Sequence, residues 1–187
     1  MTRALLVAAL LTASMTTVAA ESLGVGGYVG LGIGPAASVS YENARSVEPN
    51  GRSGHLFAGL RLKSTPLISR FSLELSAVFD SFVVNQGNAY DARMIGLAAR
   101  YSHPLGGGMD VYAKLGGAQT TFDTSSQYDA EGAQVLLGIG AEYRLPTKLA
   151  LSVLVDYTRY QGSLDLASIG PIDAGLGVWK LGATIGF

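Results

Sequence analysis

The last nine residues alternate between two kinds of side chain, and this period of two constrains the fold more than any other feature. Counting back from Phe187 through Ile185, every second residue is apolar or aromatic as far as Trp179. The residues between them are small or polar. Successive side chains of a β-strand point to opposite faces, so this pattern predicts a strand with one apolar face.

Seven earlier segments show the same alternation, and together they predict eight antiparallel strands. The predicted strands cover about 24–34, 54–62, 70–80, 93–102, 109–118, 133–144, 148–159 and 179–187. Every charge within the strands is predicted to lie opposite the apolar face. A soluble sandwich places its charges on the exposed face instead. The pattern therefore favours a barrel with an apolar outside and a polar inside.

The amino terminus predicts export. Arg3, the apolar stretch 4–11 and small residues before a cleavage site after Ala20 are typical of a signal peptide over 1–20, followed by one barrel domain over 21–187. The chain has no cysteine, which excludes lipid attachment, disulfides and thiolate metal ligands. Beyond the signal, no apolar run is long enough for a membrane helix, and a closed barrel is the other structure that satisfies its backbone in lipid.

The connections are predicted to alternate between short turns and long polar loops. The turns lie around 64–66, 103–108 and 145–147, and the loops cover about 35–53, 81–92, 119–132 and 160–174. Short turns are expected in the periplasm and long loops outside the cell. Aromatic residues are predicted to form girdles at the two membrane interfaces. The predicted periplasmic girdle contains Phe71, Tyr101, Tyr143 and Phe187, and the predicted outer girdle contains Phe79, Tyr157 and Trp179.

Local motifs resemble a known family. The segment MDVYAKLGG at 109–117, with 99–105 before it and 140–143 after it, is similar to the OmpA-type barrel. The segments 54–61 and 72–75 are similar to the small porin-like outer-membrane barrels. The resemblance implies an eight-stranded antiparallel up-and-down transmembrane β-barrel in the outer membrane of a Gram-negative bacterium. Because the chain stops after the eighth strand, no periplasmic peptidoglycan-binding domain is expected.

The resemblance also implies partners. These are outer-membrane lipid and lipopolysaccharide, the periplasmic chaperones and the barrel-assembly machinery. In such barrels the machinery recognises the terminal aromatic strand, which here contains Trp179, Ile185 and Phe187.

Four inward charges are predicted at similar depth on consecutive strands: Glu74, Arg100, Lys114 and Glu142. Adjacent strands lie about 4.8 Å apart, so opposite charges on neighbouring strands can pair. The resemblance implies the same ion-paired interior. We therefore expect a lumen filled by side chains rather than an open pore.

Three functional hypotheses remain open. The first is a structural barrel with an adhesion-like surface role, in which long loops containing Tyr90, Phe122, Tyr128 and Tyr160 contact an extracellular ligand. The second is a narrow, low-conductance channel for small solutes. The third is a lipid A-modifying enzyme that uses His55 with Asp80 and Ser81 near the outer rim. No cofactor, metal site or nucleic-acid partner is predicted, since the histidines are isolated and there is no basic patch.

Overall fold

A computed structural model describes residues 25–41, 50–62, 70–84, 88–124, 130–166 and 170–187. The predicted signal peptide lies outside these ranges. The strands are β1 (Val25–Pro35), β2 (Ser38–Tyr41), β3 (Asn50–Leu62), β4 (Phe71–Val84), β5 (Asn88–Gly106), β6 (Met109–Thr124), β7 (Ala130–Arg144), β8 (Ala150–Leu166) and β9 (Gly170–Gly186). Within the described ranges, no helix is long and apolar enough to cross a membrane.

The strands form one closed antiparallel barrel. From β3 to β9 each strand pairs with the next along the chain, and β1 joins β3 to β9. Strands β1 and β2 together occupy one strand position of the barrel. β1 pairs with the last part of β9, and β2 pairs with β9 nearer its start. The predicted eight-stranded up-and-down barrel is therefore confirmed.

The barrel has two different ends. At one end, called the turn end, Gly107 and Gly108 connect β5 to β6 and residues 145–149 connect β7 to β8. Gly106, Gly107 and Gly108 have positive φ values of 94°, 62° and 84°, which glycine adopts without steric cost. At the opposite end, called the loop end, β2, β4, β6 and β8 end at Tyr41, Val84, Thr124 and Leu166.

The side-chain alternation follows the predicted register through the middle of each strand. On β7, the outward residues Tyr143, Ile139 and Val135 are exposed, whereas the inward Leu136 and Gly138 are buried. The same parity makes Leu75 of β4 and Leu97 of β5, which are register partners, exposed outward residues. An apolar outer wall of this kind matches a barrel that faces lipid.

Toward the loop end, the strands continue well past their predicted limits, so the predicted bounds of the long loops are wrong. Strand β5 begins at Asn88, β6 runs to Thr124, β8 runs to Leu166 and β9 begins at Gly170. With 19 residues, β5 spans roughly 60 Å along the chain and on the order of 45 Å in height at a tilt of about 40°. An apolar band in a membrane is only about 25 Å tall. The strands therefore project beyond the lipid at the loop end.

The side-chain pattern inverts in these projections, which explains the wrong loop boundaries. The outward residues become polar and exposed: Arg52, Asp91, Arg93, Gln119, Glu131, Gln161, Ser163, Asp165 and Asp173. The inward residues become apolar and buried: Met94, Phe122, Tyr160, Leu164, Leu176 and Val178. The prediction that every strand charge points inward is wrong here, because a wall in water prefers polar side chains outside and apolar side chains inside.

Phe122 and Tyr160 were predicted to be loop residues available to a ligand. Both point into the barrel and are buried, with 8% and 2% of their surfaces exposed. They pack in the apolar cluster that fills the lumen toward the loop end. Tyr128 and the side chain of Tyr90 lie outside the described part of the structure.

Candidate functional site: the charged barrel interior

The interior near the turn end contains six charged side chains in one cluster, hereafter the lumen cluster. Its anions are Glu74 of β4, Glu142 of β7 and Asp156 of β8, and its cations are Arg100 of β5, Lys114 of β6 and Lys180 of β9. Three charges of each sign sum to zero. An isolated ion in such a site carries a large desolvation penalty, and opposite charges must offset it.

Glu74 connects two cations. Its Oε2 lies 3.6 Å from Arg100 Nη1, and its Oε1 lies 3.3 Å from Lys114 Nζ. The Tyr28 hydroxyl donates a 2.7 Å hydrogen bond to Oε2. Only 2% of Glu74 is exposed, so all of its charge is balanced within the protein.

Asp156 occupies the equivalent bridging position on the other side of Lys114. Its Oδ2 lies 2.9 Å from Lys114 Nζ, and its Oδ1 lies 3.9 Å from Lys180 Nζ. The Tyr112 and Thr158 hydroxyls donate to it at 2.9 and 2.7 Å. Lys114 is therefore shared between two carboxylates.

Arg100 lies in the part of the lumen cluster nearer the turn end. Its guanidinium pairs with Glu142 and donates to Ser102 Oγ at 3.3 Å. It also lies 3.7 Å from the centroid of the Tyr112 ring and 5.4 Å from that of Tyr28. The planar guanidinium can stack on rings and donate hydrogen bonds at its edge, which a lysine cannot do equally well.

The structure brings together all four residues singled out in the sequence, with Glu74 between Arg100 and Lys114 and with Glu142 against Arg100. Asp156 and Lys180 also belong to the cluster and were not predicted, although both lie at inward positions of their strands. Comparing the depths of inward residues on neighbouring strands would have found them, because the strand register places Asp156 directly opposite Lys180.

The predicted histidine site has a different arrangement. His55 Nε2 lies 2.9 Å from Ser53 Oγ, and that hydroxyl donates to the Pro35 carbonyl at 2.9 Å. A hydroxyl has one proton, so in this arrangement His55 Nε2 is the donor to Ser53 Oγ. Asp80 instead accepts a hydrogen bond from the Ala37 backbone N–H at 2.5 Å. The side chain of Ser81 lies outside the described part of the structure.

The interior contains a small cavity. A cavity of about 10 Å³ lies where the lumen cluster meets the apolar cluster, among His55, Lys114, Asp156, Tyr160 and Lys180. One water molecule needs at least about this volume. Among the described residues, no group of three histidine or acidic side chains is arranged to hold a metal ion.

The outer wall contains the predicted aromatic residues in pairs. Phe71 and Tyr101 are register partners with ring centroids 5.0 Å apart near the turn end. Tyr157 and Trp179 form a second pair, with centroids 4.9 Å apart, nearer the loop end. Phe79 and Tyr143 are also exposed on the outside, at 50% and 43%.

The carboxy-terminal residue closes the barrel. The backbone N–H and carbonyl of Phe187 both bond to Gly27, each at 2.9 Å. The Phe187 ring lies against Gly27, and a Cβ atom at that glycine would come within 2.5 Å of it. Ile185 and Trp179 face outward on the same strand and are 40% and 54% exposed.

Comparison with known proteins decides the family. The model of the outer membrane protein beta-barrel domain matches residues 5–187. The chain belongs to this outer-membrane barrel family. It is therefore a protein of the Gram-negative outer membrane, with its apolar wall in lipid. Among curated proteins, no sequence matches the chain.

Solved structures of small outer-membrane barrels share this fold. Neisserial surface protein A is 14% identical with a TM-score of 0.59, and the alignment covers 87% of this chain and 96% of that one. Ail, the attachment invasion locus protein of Yersinia pestis, is 16% identical with a TM-score of 0.55, covering 87% and 98%. The amino-terminal barrel of Pseudomonas aeruginosa OprF is 15% identical with a TM-score of 0.51, covering 88% and 98%. At these identities the likeness is one of fold alone.

Deleting Phe187 is expected to reduce the amount of barrel in the outer membrane more than it reduces stability in detergent. The deletion removes the terminal aromatic residue, which the family resemblance implicates in assembly, together with two of the many hydrogen bonds that close the barrel. Cell fractionation and refolding in detergent measure the two effects separately.

Gly27→Val is the matched control for this deletion. It displaces the Phe187 ring but keeps the terminal residue available for recognition. We expect a lower melting temperature with a near-normal outer-membrane level. If both variants accumulate in the outer membrane at the wild-type level, the terminal residue does not direct assembly.

Proposed function

We propose that this protein is a closed structural barrel that stabilises the outer membrane and presents its loop end as an interaction surface outside the cell. The observation that carries the proposal is the filled lumen. A solute would have to pass the lumen cluster and then the apolar cluster, in which Met94, Leu136 and Leu176 are at most 1% exposed.

The two clusters oppose different solutes. Breaking the lumen cluster to admit a polar solute leaves buried charges without partners. Passing an ion through the apolar cluster requires it to give up its water. Two such barriers in series support a closed barrel over the narrow channel, which stays the second candidate.

The interaction role is supported by the strand projections. They raise exposed polar side chains of both signs beyond the lipid, including Arg93, Glu131 and Asp165. Ail, which has a similar fold, is named as an attachment protein. The third candidate, a lipid A-modifying enzyme that uses His55 with Asp80 and Ser81, has less support, because His55 and Asp80 are buried and Asp80 bonds to the Ala37 backbone rather than to His55.

Planar-bilayer recording of the purified barrel tests the closed lumen. We expect no stable conductance steps above the lipid background, with a general porin recorded in parallel as a positive control. Stable steps from the wild-type barrel would favour the channel instead. Mass spectrometry of lipid A from cells with and without the protein should show identical species, and a new modified species would favour the enzyme.

A further inference from the structure

Arg159 faces outward on β8, which is unusual for a charge near the lipid-facing wall. Its register partners are Leu137 of β7 and Gly177 of β9. The next outward residue toward the turn end is Tyr157, which stacks against Trp179. Paired tyrosine and tryptophan rings are typical of the headgroup level of a membrane. The backbone of Arg159 therefore lies at the boundary between the acyl chains and the headgroups.

Two glycines of β9 determine where this side chain extends. Gly177 and Gly175 occupy successive outward positions on β9, beside Arg159 and Gln161. An ideal Cβ atom on Gly175 would lie 3.6 Å from Arg159 Nη2 and 3.8 Å from its Nε. The guanidinium thus reaches from the level of Gly177 to that of Gly175, away from the lipid core. An arginine that extends this way keeps its charge at the polar side of the interface.

The surface under the guanidinium is flat, and the two serine hydroxyls beside it already donate hydrogen bonds to backbone carbonyls. Ser38 and Ser40 of β2 donate to the carbonyls of Gly177 and Gly175 at 3.2 and 3.1 Å. The Tyr157 hydroxyl lies over Gly177, 2.7 Å from its ideal Cβ position. The site therefore offers the guanidinium and a phenol hydroxyl as donors on one side of a smooth platform.

Within the described residues, the Arg159 guanidinium makes no salt bridge. The next outward carboxylate along β9 is Asp173, two residues beyond Gly175, and it does not pair with Arg159. The hydrogen-bonding edge of the guanidinium is thus available to an anion from outside the protein.

We propose that Arg159, with Tyr157 and Trp179, binds the phosphate group of a phosphorylated glycolipid in the outer leaflet. The aromatic pair would contact the acyl-chain boundary while the planar guanidinium donates two parallel hydrogen bonds to the phosphate. The inference rests on the membrane role proposed above and adds a specific lipid site to it.

Native mass spectrometry of the purified barrel, titrated with bisphosphorylated lipid A in detergent, tests the site. We expect Arg159→Gln to lower the retained lipid roughly tenfold, because a charge-assisted hydrogen bond is lost. Arg159→Lys should retain an intermediate amount, since it keeps the charge but loses the fork. Removing the phosphates from the lipid enzymatically should abolish the difference between wild type and Arg159→Gln. Millimolar inorganic phosphate should not displace the lipid, because it lacks acyl chains.

Arg52→Gln is the matched control, since Arg52 is also exposed on the outer wall toward the loop end but has Pro35 and Ser81, rather than a glycine, as its register partners. It should retain lipid like the wild type. Equal losses for Arg52→Gln and Arg159→Gln, or equal binding of phosphorylated and dephosphorylated lipid, would overturn the site. Conductance recordings stay independent of this result, so failure of the lipid site leaves the closed-barrel proposal standing.

Discussion

Replacing Glu74 with Gln is expected to destabilise the barrel by about 3 kcal/mol, near the lower limit for breaking a buried ion pair. The change leaves the lumen cluster with one uncompensated positive charge. The effect stays near the lower limit because Lys114 retains Asp156 and Arg100 retains Glu142. Urea unfolding of the barrel in detergent or lipid vesicles measures the loss.

A double-mutant cycle with Arg100→Gln tests whether the cluster acts as a unit. The second substitution restores neutrality, so the double variant should recover part of the stability, with a coupling of about 0.5–3 kcal/mol. Glu131→Gln makes the same chemical change on the exposed outer face of β7 and should alter stability by no more than about 0.5 kcal/mol. Additive effects of Glu74→Gln and Arg100→Gln would mean that the charges are separately solvated, and the channel would then become the better hypothesis.

Replacing Ile139 with Arg is expected to destabilise the barrel by about 2 kcal/mol, the lower end of the cost near the bilayer midplane, because Ile139 lies beside Tyr157 and therefore on the loop-end side of the midplane. Ile139 is the third of five successive outward apolar residues of β7, from Tyr143 to Val135, and it is 64% exposed. Its register partners are Ala113 and Tyr157, so no carboxylate lies directly opposite it. Reversible unfolding in lipid vesicles measures the difference.

Ala133→Arg provides the control on the same strand and the same face. It lies six residues toward the loop end, roughly 20 Å along the strand, next to the outward Glu131. Near the interface the cost should fall to about 0–1 kcal/mol. Equal costs at 133 and 139 would contradict the depth assigned to the wall.

The sequence predicted the parts of the fold that depend on a local period. Alternation at 133–144 is enough to assign the outward and inward faces of β7, because neighbouring side chains in a strand must point in opposite directions. An apolar face on eight segments without a helical span then leaves a closed barrel as the architecture. For the same reason, the alternation in the sequence alone places four charged residues on the inward face: Glu74, Arg100, Lys114 and Glu142.

Tertiary structure decided what depends on depth and on distant strands. Whether an inward position should be polar or apolar depends on whether the wall outside it faces lipid or water. The local sequence does not specify the height of a residue relative to the membrane. Phe122 and Tyr160 were therefore assigned to loops, although they belong to the apolar interior beyond the membrane. Asp156 and Lys180 join the lumen cluster because the strands are tilted and the barrel closes. The same geometry places Arg159 over Gly175, a contact between two strands that neither segment specifies by itself.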